Sequence, residues 1–124
     1  MIIGTGIDII EVERIAKAAE KTAFLSRVFT KAEIEFYHSQ GKDPQRLAGM
    51  FAAKEAISKA LGTGIGEILW LDMEISHDEK GKPLVALSGK ALAEMQKLGG
   101  KRMHISISHL KSIACAQAIL EGGE

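Results

Sequence analysis

Phe51-Ala52-Ala53-Lys54-Glu55-Ala56-Ile57-Ser58-Lys59-Ala60-Leu61 runs into Gly62-Thr63-Gly64-Ile65-Gly66, a helical stretch that stops on glycines at alternate positions. Pro44 suits the first turn of a helix, so the pattern predicts one long helix from Pro44 to Leu61. On it Leu47, Met50, Phe51, Ala53, Ile57, Ala60 and Leu61 share a broad arc, the side that faces a core. Glu55 and Lys59 lie elsewhere, one turn apart, among Ala48, Ala52 and Ala56. A solvated face carries long polar side chains; short alanines around two charges predict a face that something covers closely. The glycines that follow permit positive φ and close approach of a ligand to the backbone. The plainer reading is an i, i+4 ion pair of about 0.2–0.5 kcal/mol and a capped helix end. On spacing alone both readings stand.

Upstream, Met1 to Ile10 reads as a strand, in which Asp8 shares a face with Gly4 and Gly6. An Asp between isoleucines is poor strand chemistry and needs a cation or hydrogen-bond donors if buried. It is either such a ligand or the N-cap of the next helix. That helix, Glu11 to about Lys21, turns Val12, Ile15, Ala16 and Ala19 inward. Arg14, Lys17 and Lys21 lie outside, with Arg27 soon after. Such a stripe is either a solvated face or a dock for an acidic partner. Phe24 to Phe29 fits a short helical turn. Thr30 and Glu33 form a capping box that opens a helix toward Ser39.

Downstream, Ile68 to His77 and Pro83 to Leu87 read as strands joined by a turn at His77–Pro83. Ser88 caps a helix to Leu98 that ends at Gly99-Gly100. Met103 to His109 and Ile113 to Leu120 are two further strands. Gln117 is the one strong polar group in the last of these, and its amide needs partners, which another subunit could supply.

The chain has 124 residues, 46% of them hydrophobic, which suits one compact domain over 1–124. Sixteen basic residues balance sixteen acidic ones, and aromatics make up only 5%, so neither charge nor stacking points to nucleic acid. The lone Cys115 lies between alanines and reads as a buried, inert thiol. No apolar run is long enough to span a bilayer. The N-terminus has no basic segment of a secretory signal, so the expected location is the cytoplasm, with no membrane partner.

Three motifs now add up. Gly6-Ile7-Asp8 is followed by Arg14. Phe51–Ala60 is continued by Gly62-Thr63-Gly64-Ile65-Gly66. His104-Ile105-Ser106-Ile107-Ser108-His109 leads into Ala116-Gln117-Ala118. In this order, and over nearly the whole chain, the sequence resembles the holo-acyl-carrier-protein synthases, the small bacterial 4′-phosphopantetheinyl transferases. The resemblance implies an α+β fold, with an antiparallel sheet packed on the long central helix and shorter helices. It also implies a reaction. The 4′-phosphopantetheine of coenzyme A passes to a serine of apo-acyl carrier protein and leaves adenosine 3′,5′-bisphosphate, in support of fatty acid biosynthesis. Mg²⁺ on Asp8 and Glu55, and a homotrimer with sites between subunits, come with it.

The residues agree with these roles. Mg²⁺ takes one or two carboxylates plus phosphate oxygens, and Asp8 and Glu55 are the two in unusual settings. With Lys59, which is placed to neutralise the leaving phosphate, they are the expected catalytic set. Lys54, Lys59, Gly62, Gly64, Ile65, Pro83 and His109 are the expected coenzyme A contacts, the glycines through backbone N–H groups. Pro83 is either the border of the adenine or only a hairpin residue; His77 and His104 read as structural or surface groups. Arg14, Lys17, Lys21 and Arg27 are the expected dock for the acidic carrier protein. A metal-activated water and Glu55 both qualify as the base for the serine. One position departs from the pattern: relatives often carry Arg where Met50 stands. Lys54, Arg46 or Lys111 is then the substitute phosphate contact. A non-enzymatic module that binds coenzyme A or a nucleotide is the alternative; it would not need Asp8 and Glu55 together. A P-loop is excluded, because the helix precedes the glycines and no Gly-Lys-Ser/Thr follows.

Overall fold

Two glycines on the first strand decide how the long helix sits. In the computed structural model, which describes residues 1–123, strand β1 (Ile2–Glu11) turns Gly4 and Gly6 toward helix α4 (Pro44–Leu61). A Cβ on Gly6 would stand 1.9 Å from the Ala56 carbonyl oxygen, and one on Gly4 2.1 Å from that of Ala60. Helix backbone thus rests on strand backbone. Ala48, Ala52 and Ala56 are fully buried. The expectation that something covers the alanine face holds, but the cover is the chain's own sheet rather than coenzyme A or a neighbouring subunit.

β1 pairs antiparallel with β5 (Ile113–Gly122), and β5 with β4 (Gly100–His109), in the order β1-β5-β4. The inner face, with Ala114, Ala116, Ala118, Leu120 and Ile105, packs on α4. Each Leu, Ile or Met buried there contributes about 1.5–3 kcal/mol. The expected α+β class and antiparallel sheet are what the chain forms.

Helices α1 (Val12–Ala18), α2 (Thr22–Val28) and α3 (Lys31–Ser39) lie between β1 and α4. α1 is shorter than the stripe suggested, and Glu11 occupies its N-cap position, so Asp8 is not a cap. At α3 the capping box forms as expected: Glu33 N–H donates to Thr30 Oγ1 at 3.2 Å, and Thr30 N–H to Glu33 Oε1 at 2.8 Å.

The strand expected from Ile68 starts only at Met73. Trp70–Asp72 forms a 3₁₀ turn, because Asp72 Oδ2 accepts from Leu69 N–H at 3.2 Å. Strands β2 (Met73–His77) and β3 (Pro83–Leu87) then form a hairpin. The Asp78 side chain accepts from Lys80 and Lys82 N–H in its turn. Helix α5 (Gly89–Lys97) follows, and its capping differs from the expectation. Ser88 caps no amide; the Asp72 carboxylate accepts from Ala91 N–H at 3.3 Å and does that work from a distance.

Lys54, expected at coenzyme A, is completely buried. Its Nζ donates to Glu33 Oε1 at 2.6 Å, Val28 O at 2.7 Å and Trp70 O at 3.2 Å, which uses all three of its hydrogens. Burial lowers its pKa, against the pull of Glu33 in the other direction. It reaches no ligand, and the coenzyme A assignment is corrected.

Candidate active site

Past Gly6 the strand has side chains again, and the first on the helix face is Asp8, 17% exposed. The close strand–helix seam brings it to the turn of α4 that holds Glu55 and Lys59. Lys59 Nζ donates to Ile7 O at 2.8 Å and to Asp8 Oδ1 at 3.3 Å. Lys59 therefore turns to Asp8 on the strand rather than to Glu55 one turn away. The Glu55 carboxyl is pushed up from its ordinary value, first by burial and next by the Asp8 charge; Lys59 and Arg14 pull it down. Groups from β1, α1 and α4 thus act on one carboxylate.

This donor set suits a hard divalent cation. Two carboxylates converge, and among the described residues no group of three or more His, Cys, Asp or Glu does. Mg²⁺ takes one or two carboxylates and keeps water and phosphate for its other positions. The like-charge pressure of Asp8 on Glu55 is what a cation between them relieves.

Arg14 also lines a groove of about 620 Å³ with Lys17, Lys21 and Arg27, and Phe24 contributes an aromatic wall. The four cations expected together do line one groove, and Arg14 is the one whose charge reaches Glu55.

The loop after α4 is partly as expected. Gly62 has φ +79°, the left-handed cap that glycine supplies. A side chain at Gly62, Gly64 or Gly66 would meet nothing within 4 Å. Their N–H groups, however, are taken: Gly62 donates to Lys59 O, Gly64 to Ser58 O and Gly66 to Ile68 O. The expected amide contacts to phosphate are corrected; these glycines offer open space beside the helix end. Ile65 makes a bridge with Ile68. Thr63 Oγ1 is buried without a partner.

A second cluster sits near the start of α4. Arg46, His77, Gly81, Pro83, Ile107 and His109 line a pocket of about 120 Å³. His109 Nδ1 lies 2.8 Å from Gln45 Oε1, which leaves Nε2 for other contacts. His77 stacks on Phe36 at 4.5 Å, and its Nδ1 is buried with no partner. Burial, and then the charge of Arg46, hold its pKa below the ordinary value. Met50 is core, 1% exposed; Arg46, one turn earlier, is the cation that lines this pocket. Of the substitutes weighed, Lys54 is buried and Lys111 does not line this pocket. The sequence reading placed neither His77 in this pocket nor Gln45 against His109. A stacked partner on α3 and a first-turn amide carry no local sequence signal.

The outer face of the sheet mixes exposed isoleucines with small and polar side chains. Ile7 and Ile9 are each 68% exposed. Ile7, Ser106, Ser108, Cys115 and Gln117 line a shallow depression. Cys115 is half-buried there rather than enclosed. His104 is at the end of this face, with Nε2 2.8 Å from Glu121 Oε1.

Residues 4–117 match the family model of the 4′-phosphopantetheinyl transferase superfamily. A holo-[acyl-carrier-protein] synthase of Clostridium novyi (strain NT) is 51% identical over 122 residues, 98% of this chain and 88% of the relative. One of Koribacter versatilis (strain Ellin345) is 46% identical over 124 residues, 98% of this chain and 99% of the relative. Among solved structures, a holo-(acyl-carrier-protein) synthase of Bacillus anthracis str. Ames in complex with CoA (3′,5′-ADP) superposes with TM-score 0.84 at 41% identity, covering 99% of both chains. The Plasmodium yoelii holo-ACP-synthase structure superposes with TM-score 0.87 at 38% identity, covering 100% of this chain and 98% of the other.

Proposed function

The chain belongs to the 4′-phosphopantetheinyl transferase superfamily, among the holo-[acyl-carrier-protein] synthases, and from that premise we propose how its own residues carry out the transfer. The protein moves 4′-phosphopantetheine from coenzyme A to a serine of apo-acyl carrier protein. The observation that carries this reading is the convergence of Asp8, Glu55 and Lys59 beside a basic groove. A module that only binds coenzyme A has no use for that convergence.

Asp8 and Glu55 would hold Mg²⁺, which supplies charge neutralisation at the donor phosphate. Lys59, its side chain half-exposed, can turn from Asp8 to the same phosphate. Phosphoryl transfer leaves little covalent work to a protein, so positioning and charge dominate. Glu55 is the chain's own carboxylate suited to take the serine proton, with a metal-activated water as the other candidate base. The groove of Arg14, Lys17, Lys21 and Arg27 receives the acidic carrier protein, with Arg14 the one whose charge acts on Glu55. Arg46, His77 and His109 suit the nucleotide phosphate, and Pro83 and Gly81 form the hairpin edge beside it. Gly62, Gly64 and Ile65 leave room for the pantetheine.

The reading includes a homotrimer in the cytoplasm, with the exposed Ile7 and Ile9 and the amide of Gln117 covered by neighbouring copies. The test is direct. The protein is incubated with CoA, Mg²⁺ and an apo carrier protein, and the carrier is weighed by mass spectrometry. A serine-linked gain of the phosphopantetheine mass is expected. Free phosphate without that gain points to a hydrolase, and bound CoA with neither product to a binding module.

A further inference from the structure

The wholly buried Lys54–Glu33 ion pair has no part in the mechanism above. Its partners, however, lead outward to both binding surfaces. Val28, whose carbonyl accepts from Lys54, closes α2, and α2 supplies Phe24 and Arg27 to the basic groove. Ile75, whose N–H donates to Glu33 Oε2 at 2.7 Å, lies in the middle of β2. The β2–β3 hairpin brings His77, Gly81 and Pro83 to the phosphate pocket. Trp70, whose carbonyl takes the third hydrogen of Lys54, stacks on Phe51 at 4.9 Å, and Phe51 stacks on Phe24 at 6.3 Å. Lys54 itself is the neighbour of Glu55 on α4.

A buried ion pair adds little net stability over apolar residues of the same size. It does impose direction. Five hydrogen bonds converge on its two charged ends: three donated by Lys54, one of them to Glu33, and two more that Glu33 accepts from Thr30 and Ile75 N–H. Apolar replacements would fill the space without fixing α2 and β2 to α4 at one setting.

We propose that Lys54 and Glu33 are positioning residues for the transfer reaction: they lock the carrier groove and the hairpin pocket to α4 in one relative geometry. The proposal rests on the transferase reading. Its consequence is specific. Each surface is local and keeps its affinity when the pair is removed, whereas the alignment of acceptor and donor is lost. A displacement of about 1 Å costs on the order of 10²-fold in rate, and it falls on kcat rather than on KM.

The test replaces both charges at once, so that neither is left buried alone: Lys54→Met with Glu33→Leu, and Lys54→Met with Glu33→Gln, which keeps an acceptor for the β2 amide. Thermal melting and steady-state kinetics with CoA, Mg²⁺ and apo carrier protein are measured beside the wild type. The proposal expects a folded variant whose kcat falls roughly 10- to 100-fold while the KM values for CoA and carrier stay close to wild type. Thr30→Val, which removes the cap but leaves the ion pair, is expected to lower the melting temperature without that fall in kcat. A folded double variant with wild-type kcat overturns the proposal. So does failure of both double variants to fold, which would make the pair a requirement of the fold alone. A wild type that transfers nothing sinks the transferase reading and this inference with it; transfer by the wild type together with full kcat in the variant sinks the inference alone.

Discussion

Glu55 shows how a functional residue works against the protein that holds it. Burial and Asp8 raise its pKa from 4.5. The folded state therefore binds its proton more tightly than the unfolded chain does. Between 4.5 and the raised value the folded state carries more protons, so stability falls as pH rises through that window. At neutral pH the ionised carboxylate is a cost to the metal-free protein. Glu55→Gln is expected to abolish most transfer, with a loss on the order of 10²-fold or more. It is also expected to raise the melting temperature at pH 7 without Mg²⁺. A lower melting temperature in calorimetry would contradict the account. At the other end of α4, Arg46→Ala is expected to weaken CoA but to leave dephospho-CoA unchanged. With Met50 buried, the wild-type penalty for lacking the 3′-phosphate is expected to be about tenfold or less in KM, or 1.4 kcal/mol. Comparing KM for the two donors decides this.

At the scale of elements, the strand–helix seam is the critical joint. Gly6→Ala sets a methyl 1.9 Å from the Ala56 carbonyl, where only backbone movement can make room. The expected cost is about 1–3 kcal/mol, with a loss of Mg²⁺ affinity as Glu55 lifts away from Asp8. Gly62→Ala has open space and pays only for its positive φ, about 1–2 kcal/mol. Melting curves and Mg²⁺ titrations of the two variants separate the effects. The elements show what a sequence reveals by itself. The capping box of Thr30 and Glu33 and the proline start of α4 are local signals, and both elements formed where they were read. Trp70–Asp72 was read as strand because its alternation is local, while the bond that curls it comes from Asp72, which also reaches Ala91. Lys54 was read as a ligand because its neighbours in sequence are functional. Its true partner lies 21 residues away on another helix, and no spacing rule reports that.

At the scale of the molecule, net charge is zero while one groove gathers four cations. A charge reversal, Arg14→Glu, is expected to raise the KM for carrier protein, leave that for CoA in place, and weaken the salt dependence of carrier binding. Kinetics at two ionic strengths check it. The other broad surface is the outer sheet face. If the proposed trimer forms over this face, Ile7→Lys shifts it toward monomer in sedimentation analysis with little effect on the fold, because that side chain is mostly exposed in the single chain. The three motifs and their order were enough to read the family and the fold class. Arg46, Pro83 and His109 were read as candidate contacts one by one, but not that they share a pocket with His77, since they come from α4, β2, β3 and β4 and meet only after folding.

The glycine seam also bears on how such a protein can change over generations. The gap between Asp8 and Glu55 is set by main chain against main chain, not by the bulk of core side chains. Leu47, Ile57 or Leu120 can drift in size and cost stability, yet the spacing of the two carboxylates stays where the backbone puts it. Sequence drift in the core and precision at the site are thus uncoupled. That freedom depends on two positions, Gly4 and Gly6, where any side chain meets the helix backbone.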